Sequence, residues 1–155
     1  MGLLLKYSAQ YKASLLAYCL MPNHYHLIVR QEDDGSISRF LQTTFNSFVQ
    51  YYILLETHSG TLFQGPAKSA LIDTDEYLLH AIRYVYSNPV SAKMVKSGSD
   101  WEFSDCGVWE RDSNESFPGK SVRDEWFGDG RGYQGFLDSY EPGNFSRELG
   151  EAFDT

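Results

Sequence analysis

The apolar and polar positions of the chain fall into short segments with two different periods. Residues 13–20, ASLLAYCL, form a near-continuous apolar run, with the length and composition of a buried strand. Met21-Pro22-Asn23 interrupts it with turn-forming residues. Residues 24–30, HYHLIVR, are β-branched and aromatic and predict a second strand, so the pair reads as a hairpin. A loop at 32–35, EDDG, leads to Ser36, placed to cap a helix over about 37–55. Its apolar positions Ile37, Phe40, Leu41, Phe45, Phe48, Val49 and Tyr52 recur at helical spacing. His58-Ser59-Gly60 is expected to end that helix. Residues 61–72, TLFQGPAKSALI, predict a strand or bent ribbon broken at Gly65-Pro66. Asp73 or Thr74 caps a second helix with Asp75 and Glu76 in its first turn, where the helix dipole favours acids. That helix is expected to stop at Ser87, because a residue preceding proline is pushed out of helical geometry. Residues 1–11 suggest no more than the last turns of a helix. The order strand, strand, helix, strand, helix predicts an α+β layer structure, an antiparallel sheet with helices on one face.

Length and charge add a division. The 155 residues suit one domain with a tail, large enough to bury a core without staples. The formal net charge of -8 argues against a protein that grips nucleic acid by bulk positive charge. Residues 1–100 hold 8 basic and 8 acidic residues, whereas 101–155 hold 5 basic and 13 acidic. The expected organisation is therefore a main domain over 1–100 and an acidic extension over 101–155. Parts of the extension should pack onto the domain through Trp101, Phe103, Trp109, Trp126, Phe127, Tyr133 and Phe136. Cys19 and Cys106 cannot build a disulfide framework and lack zinc-finger spacing. No secretory signal and no apolar run of bilayer length is seen, so a soluble cytoplasmic protein without a membrane partner is expected.

Two short strings carry candidate chemistry. In Asn23-His24-Tyr25-His26, strand alternation puts His24 and His26 on one face with Tyr25 opposite. Such a pair can share a divalent metal, or be two half-buried sheet histidines with no ligand. In Arg83-Tyr84-Val85-Tyr86-Ser87-Asn88-Pro89-Val90, helical spacing aligns Tyr84 with Asn88, and with His80 and Tyr77 behind them, while Tyr86 lies on another face. Asn88 offers a carbonyl oxygen to a hard cation; a tyrosine-rich core helix would show the same stripe.

Taken together, AYCLMPNHYHLIV (17–29), GTLFQGPAKSALI (60–72), DEYLLHAIRYVYSNPVSAKMV (75–95) and WEFSD (101–105) resemble the single-tyrosine transposases of the HUH (His-hydrophobic-His) class. The resemblance is to the REP-associated and insertion-sequence-200 type, in the family's order and spacing, over roughly residues 13–105. It implies a ferredoxin-like (RRM-like) α+β fold. It implies a nuclease and strand transferase that cleaves and rejoins single-stranded DNA at hairpins formed by palindromic repeats. His24, His26 and Asn88 would be the metal ligands, for Mg²⁺ or Mn²⁺. Tyr84 would be the nucleophile that forms a 5′-phosphotyrosine, with Tyr86 as the alternative. Among nearby basic residues, Arg30, Lys68 and Arg83 are the candidate phosphate contacts. Members of the family act as monomers or as homodimers.

The chain departs from the family in two ways. The family begins with an additional strand and most of a helix, which leads us to expect a shortened N-terminus and an open edge on the second strand. A net-neutral domain with an acidic extension should also bind DNA with a shallow salt dependence. A catalytically inactive or domesticated hairpin-binding module of the same fold is the alternative reading. A third is an unrelated α+β protein whose paired histidines hold a structural or regulatory metal.

Overall fold

Strand β1 (Ala13–Leu20) and strand β2 (Tyr25–Gln31) pair antiparallel across the Pro-Asn turn, where the Met21 amide donates to the His24 carbonyl at 2.9 Å. The computed structural model describes residues 2–56, 60–111, 117–128 and 130–139. Helix α1 (Gly2–Gln10) precedes the hairpin, and helices α2 (Ile37–Glu56) and α3 (Asp75–Ser91) follow it. A 3-10 turn at Gly98–Asp100 and short helices α4 (Cys106–Glu110), α5 (Lys120–Phe127) and α6 (Gly130–Asp138) complete the described order. The chain is thus α+β, with a two-stranded antiparallel sheet among the described residues. No helix in them is long and apolar enough to cross a membrane.

The residues group into two compact units, one from 1–15 and 29–68, the other from 16–28 and 69 onward. In the first, α1 packs on the N-terminal half of α2. Tyr7 Oη meets Ser47 Oγ at 3.0 Å, and Thr43 Oγ1 donates to Tyr11 Oη at 3.0 Å. Phe40 is fully buried there, and burial of such a ring contributes about 1.5–3 kcal/mol. Ser36 caps α2 as expected, its Oγ accepting from the Arg39 amide at 3.3 Å. Gly35 passes so close to Lys12 that an added Cβ would stand 2.3 Å from the Lys12 carbonyl oxygen. The expected stop at His58-Ser59-Gly60 falls largely on residues 57–59, outside the described residues.

The second unit holds a core of Leu16, Ala17, Cys19, Ile28, Ala81, Ile82, Val85, Tyr86, Cys106, Trp109, Val122 and Tyr133. Trp109 and Tyr133, both beyond residue 100, are fully buried in it. The outer edge of β1 is closed by the segment at 103–105. Leu20 donates to the Phe103 carbonyl at 2.9 Å, and Cys19 bridges Ser104.

Two expectations fail here. Residues 61–72 form no strand and are almost wholly exposed, because among the described residues no strand pairs with them and unpaired extended backbone has no reason to persist as sheet. Helix α3 begins as expected, with Thr74 Oγ1 accepting from the Tyr77 amide at 3.2 Å. It does not stop at Ser87, however, but runs through Pro89 to Ser91. Proline there deletes one helical donor and strains the preceding turn. Full burial of its ring offsets that cost, and the next turn is kept by Ala92 N to Asn88 O at 2.9 Å.

Candidate active site

The site is built where the hairpin turn meets the middle of α3, within one compact unit. Strand alternation sends His24 and His26 to the same side, where their rings meet edge-on with centroids 4.9 Å apart. His24 is exposed, and its Nδ1 lies 2.7 Å from Asn23 Oδ1. His26 is half-buried and stands edge-on to the Tyr84 ring, 5.4 Å between centroids. One turn on, Asn88 Nδ2 donates to the Tyr84 carbonyl at 2.7 Å. That bond orients the carboxamide so that its oxygen is the acceptor left for His26, with which the Asn88 side chain also interacts. The structure therefore brings His24, His26, Tyr84 and Asn88 into one cluster.

Electrostatics favour a neutral His26. Burial and the neighbouring His24 push its pKa down to about 4, against the opposing pull of Asn88. A neutral imidazole is the form that ligates a metal. Two imidazoles and one amide oxygen fit a divalent cation in a mixed N/O site, where Mn²⁺ is well suited and Mg²⁺ acceptable. Among the described residues no group of three or more His, Cys, Asp or Glu offers a competing metal centre.

The second tyrosine of the motif has a different surrounding. Tyr86 is buried at 1% exposure, and its Oη donates to Asp105 Oδ1 at 2.8 Å. The same oxygen accepts from the Tyr18 amide at 2.9 Å. Burial pushes the Asp105 carboxyl up to about 7, despite both hydrogen bonds, and drives the Tyr86 phenol well above its ordinary value. Sequence reasoning did not single out Asp105. The available signal was an acid preceding the short helix CGVWE, which reads as an ordinary N-cap, yet its side chain makes no capping bond.

Of the three candidate phosphate contacts, only Arg83 belongs to the same compact unit as the cluster. Arg83 does not face outward. Its guanidinium stacks 3.6 Å from the Phe136 ring centroid, donates to the Phe136 carbonyl, and reaches Ser139 Oγ at 3.2 Å. It joins α3 to the end of α6, and with 9% exposure it has little surface for DNA. Arg30 and Lys68 belong to the other compact unit. Arg30 pairs with Glu32 at 3.3 Å, and Lys68 sits in the exposed stretch before α3. His80 is a half-buried helix residue one turn before Tyr84. A groove of about 750 Å³ lined by Trp101, Arg111 and Arg131 includes none of the four clustered residues.

No protein-family model and no curated protein sequence matches the chain. A solved structure does, that of a REP-associated tyrosine transposase bound to a REP hairpin, with a TM-score of 0.52 and 24% sequence identity. The match covers 67% of this chain and 61% of that one, so the chain spans less than two-thirds of the transposase's length. The likeness is one of fold: over the matched part this chain shares an α+β architecture with that structure.

Proposed function

We propose that the protein is a metal-dependent single-stranded DNA nuclease and strand transferase that cleaves and rejoins DNA at hairpins. The observation that carries the reading is the cluster of His24, His26, Tyr84 and Asn88 in a fold shared with a hairpin-bound transposase. Tyr84 is the nucleophile. Its phenolic oxygen attacks the phosphorus, a Tyr–O–P bond forms, and the P–O bond to the 3′ oxygen breaks. The products are a 5′-phosphotyrosine and a free 3′-OH that takes up a proton. The energy of the broken ester is kept in the new one, so a second 3′-OH can reverse the step and join strands without ATP.

A free tyrosine has a pKa of about 10 and is a weak nucleophile until a nearby cation favours the phenolate. His24, His26 and Asn88 would hold Mg²⁺ or Mn²⁺, which supplies charge relief at the non-bridging phosphate oxygens. His26 supports attack by standing edge-on to the Tyr84 ring and limiting its rotation. Asn88, tied to the Tyr84 carbonyl, keeps the ligand face and the nucleophile on one helical stripe.

A hairpin-binding module of the same fold without catalysis is the second reading. The experiment that separates the two incubates the protein with Mn²⁺ and a labelled single-stranded library carrying random hairpins, followed by a denaturing gel. The expected result is a labelled band at protein size that Tyr84→Phe abolishes and Tyr86→Phe retains. A native-gel shift without a covalent band would establish the binding module instead. Neither band nor shift would remove DNA chemistry from the assignment.

A further inference from the structure

Strand β1 and helix α3 meet at one carboxylate. Asp105 lies in the segment that closes the outer edge of β1 and is buried at 1% exposure. Its backbone amide donates to the Tyr18 carbonyl at 3.4 Å, and its Oδ1 accepts from the Tyr18 amide at 2.9 Å. Both backbone groups of one β1 residue hold it, so the carboxylate moves with the strand. The same Oδ1 accepts from Tyr86 Oη at 2.8 Å, and Tyr86 belongs to α3. Two residues beyond Tyr18, β1 ends at Leu20 and enters the turn that carries His24. On α3, Tyr84 and Asn88 stand two positions either side of Tyr86. One oxygen therefore links the hairpin that bears the histidines to the helix that bears Tyr84 and Asn88.

We propose that Asp105 is a positioning residue for the cluster. Acting through Tyr86, it sets the roll of α3 against the hairpin, and with it the place of Tyr84 beside His26. The geometry stands by itself, while its effect on rate rests on the strand-transferase reading above. At about 100° per residue, Tyr86 lies about 160° around the helix from both Tyr84 and Asn88. A tie on one side of a helix thus fixes what the other side presents. The apolar neighbours Ala81, Ile82 and Val85 hold α3 in the core, but apolar burial is non-directional and leaves roll weakly specified. A hydrogen bond has a preferred length and angle. At a helix radius of about 5–6 Å, a roll of about 10° moves a side-chain tip by about 1 Å. Misplacement of that size costs a reacting group up to about a hundredfold in rate.

Proton NMR of the full chain, free of DNA, and single-turnover formation of the covalent band with Mn²⁺ and a hairpin oligonucleotide test this together. The wild-type chain shows a nuclear Overhauser contact between the His26 and Tyr84 rings. Asp105→Ala and Tyr86→Phe weaken it, while the contact between Trp109 and Tyr133, whose centroids lie 4.9 Å apart, persists and reports a folded core. In Tyr86→Phe the band still forms, but about ten- to a hundredfold more slowly at unchanged hairpin affinity. Asp105→Asn keeps an acceptor oxygen and restores both ring contact and rate. Val122→Ala removes buried volume from the same core without touching the carboxylate, and lowers the urea midpoint while leaving ring contact and rate alone. Tyr86→Phe strands no backbone group, so it decides the matter if Asp105→Ala does not fold. An unchanged ring contact in Tyr86→Phe overturns the proposal. So does a loss that Val122→Ala reproduces, or one that Asp105→Asn fails to restore. If the wild type forms no band, the transferase reading falls and the ring contacts alone decide whether Asp105 positions Tyr84.

Discussion

The two faces of α3 carry the same residue type two positions apart and treat it in opposite ways. Tyr84 lies half-exposed beside His26, with Asn88 one turn on. Tyr86 lies fully buried, its hydroxyl committed to Asp105. On the outer face the rings of Tyr84 and His26 meet edge-on, with Asn88 bound to the Tyr84 carbonyl. On the inner face the polar groups converge on one another, and burial holds the phenol protonated. The lesson is that a buried tyrosine–carboxylate node fixes the rotation of the helix about its axis, and that rotation aims the other tyrosine outward. A half-exposed polar face and a buried structural face can thus be specified by one short string.

The comparison can be broken most severely from the inner face. Asp105→Ala strands the Tyr86 hydroxyl and the Tyr18 amide without an acceptor. Each stranded buried group costs about 1–3 kcal/mol, so a total loss of about 2–5 kcal/mol is expected in urea unfolding. If stability holds, the node does not set the helix.

Asp105→Asn sharpens the comparison through pH. Asp105 titrates at about 7 in the folded chain and about 3.9 unfolded. The folded state therefore holds the proton more tightly. Its contribution is present below about pH 4, is lost as pH rises to about 7, and is flat above, an amplitude of about 4 kcal/mol. Asn keeps the acceptor oxygen and removes this loss. His26 has the opposite sign. Its depressed pKa of about 4 favours the folded chain once pH exceeds the unfolded value of about 6.5, and that contribution is lost as pH falls through about 4. Urea midpoints from pH 4 to 8 should fall less steeply, or rise, in Asp105→Asn. An unchanged profile would show that the carboxyl is not the titrating group.

Smaller effects distinguish contacts within the helix from contacts with ligands. Arg83→Gln should cost about 1–2 kcal/mol, because a desolvated cation–π contact and its hydrogen bonds are lost. The salt slope of hairpin binding should stay the same, since no phosphate contact is removed; a slope shallower by about one would restore Arg83 to the DNA surface. Asn88→Ala should change stability by about 1 kcal/mol or less. It should weaken Mn²⁺ binding about tenfold or more by calorimetry; unaltered affinity would exclude Asn88 as a ligand.

What was readable in the sequence was local in origin. The apolar run of β1, the Pro-Asn turn and the alternation in HYHLIVR specify a hairpin with both histidines on one side, because strand period and turn chemistry act over a few residues. Ser36 and Thr74 mark helix starts for the same reason. The alignment of Tyr84 with Asn88 needs only the helical repeat. Tertiary structure decided the rest. Residues 61–72 have the composition of a strand but no strand among the described residues to pair with. Pro89 stays in a helix because a core receives its ring, and the second half of α2 has a core-like pattern yet leaves Phe48, Tyr51, Leu54 and Leu55 exposed. Arg83 turns inward because Phe136 and Ser139, more than fifty residues later, are there to receive it. Asp105 becomes a buried acid because Tyr18 and Tyr86, far from it in the chain, present donors to one oxygen. Short-range periodicity and capping act within a turn or two, so they can be read along the chain. Burial, and the hydrogen bonds that make it tolerable, depend on which distant segments arrive, and only the folded chain contains that information.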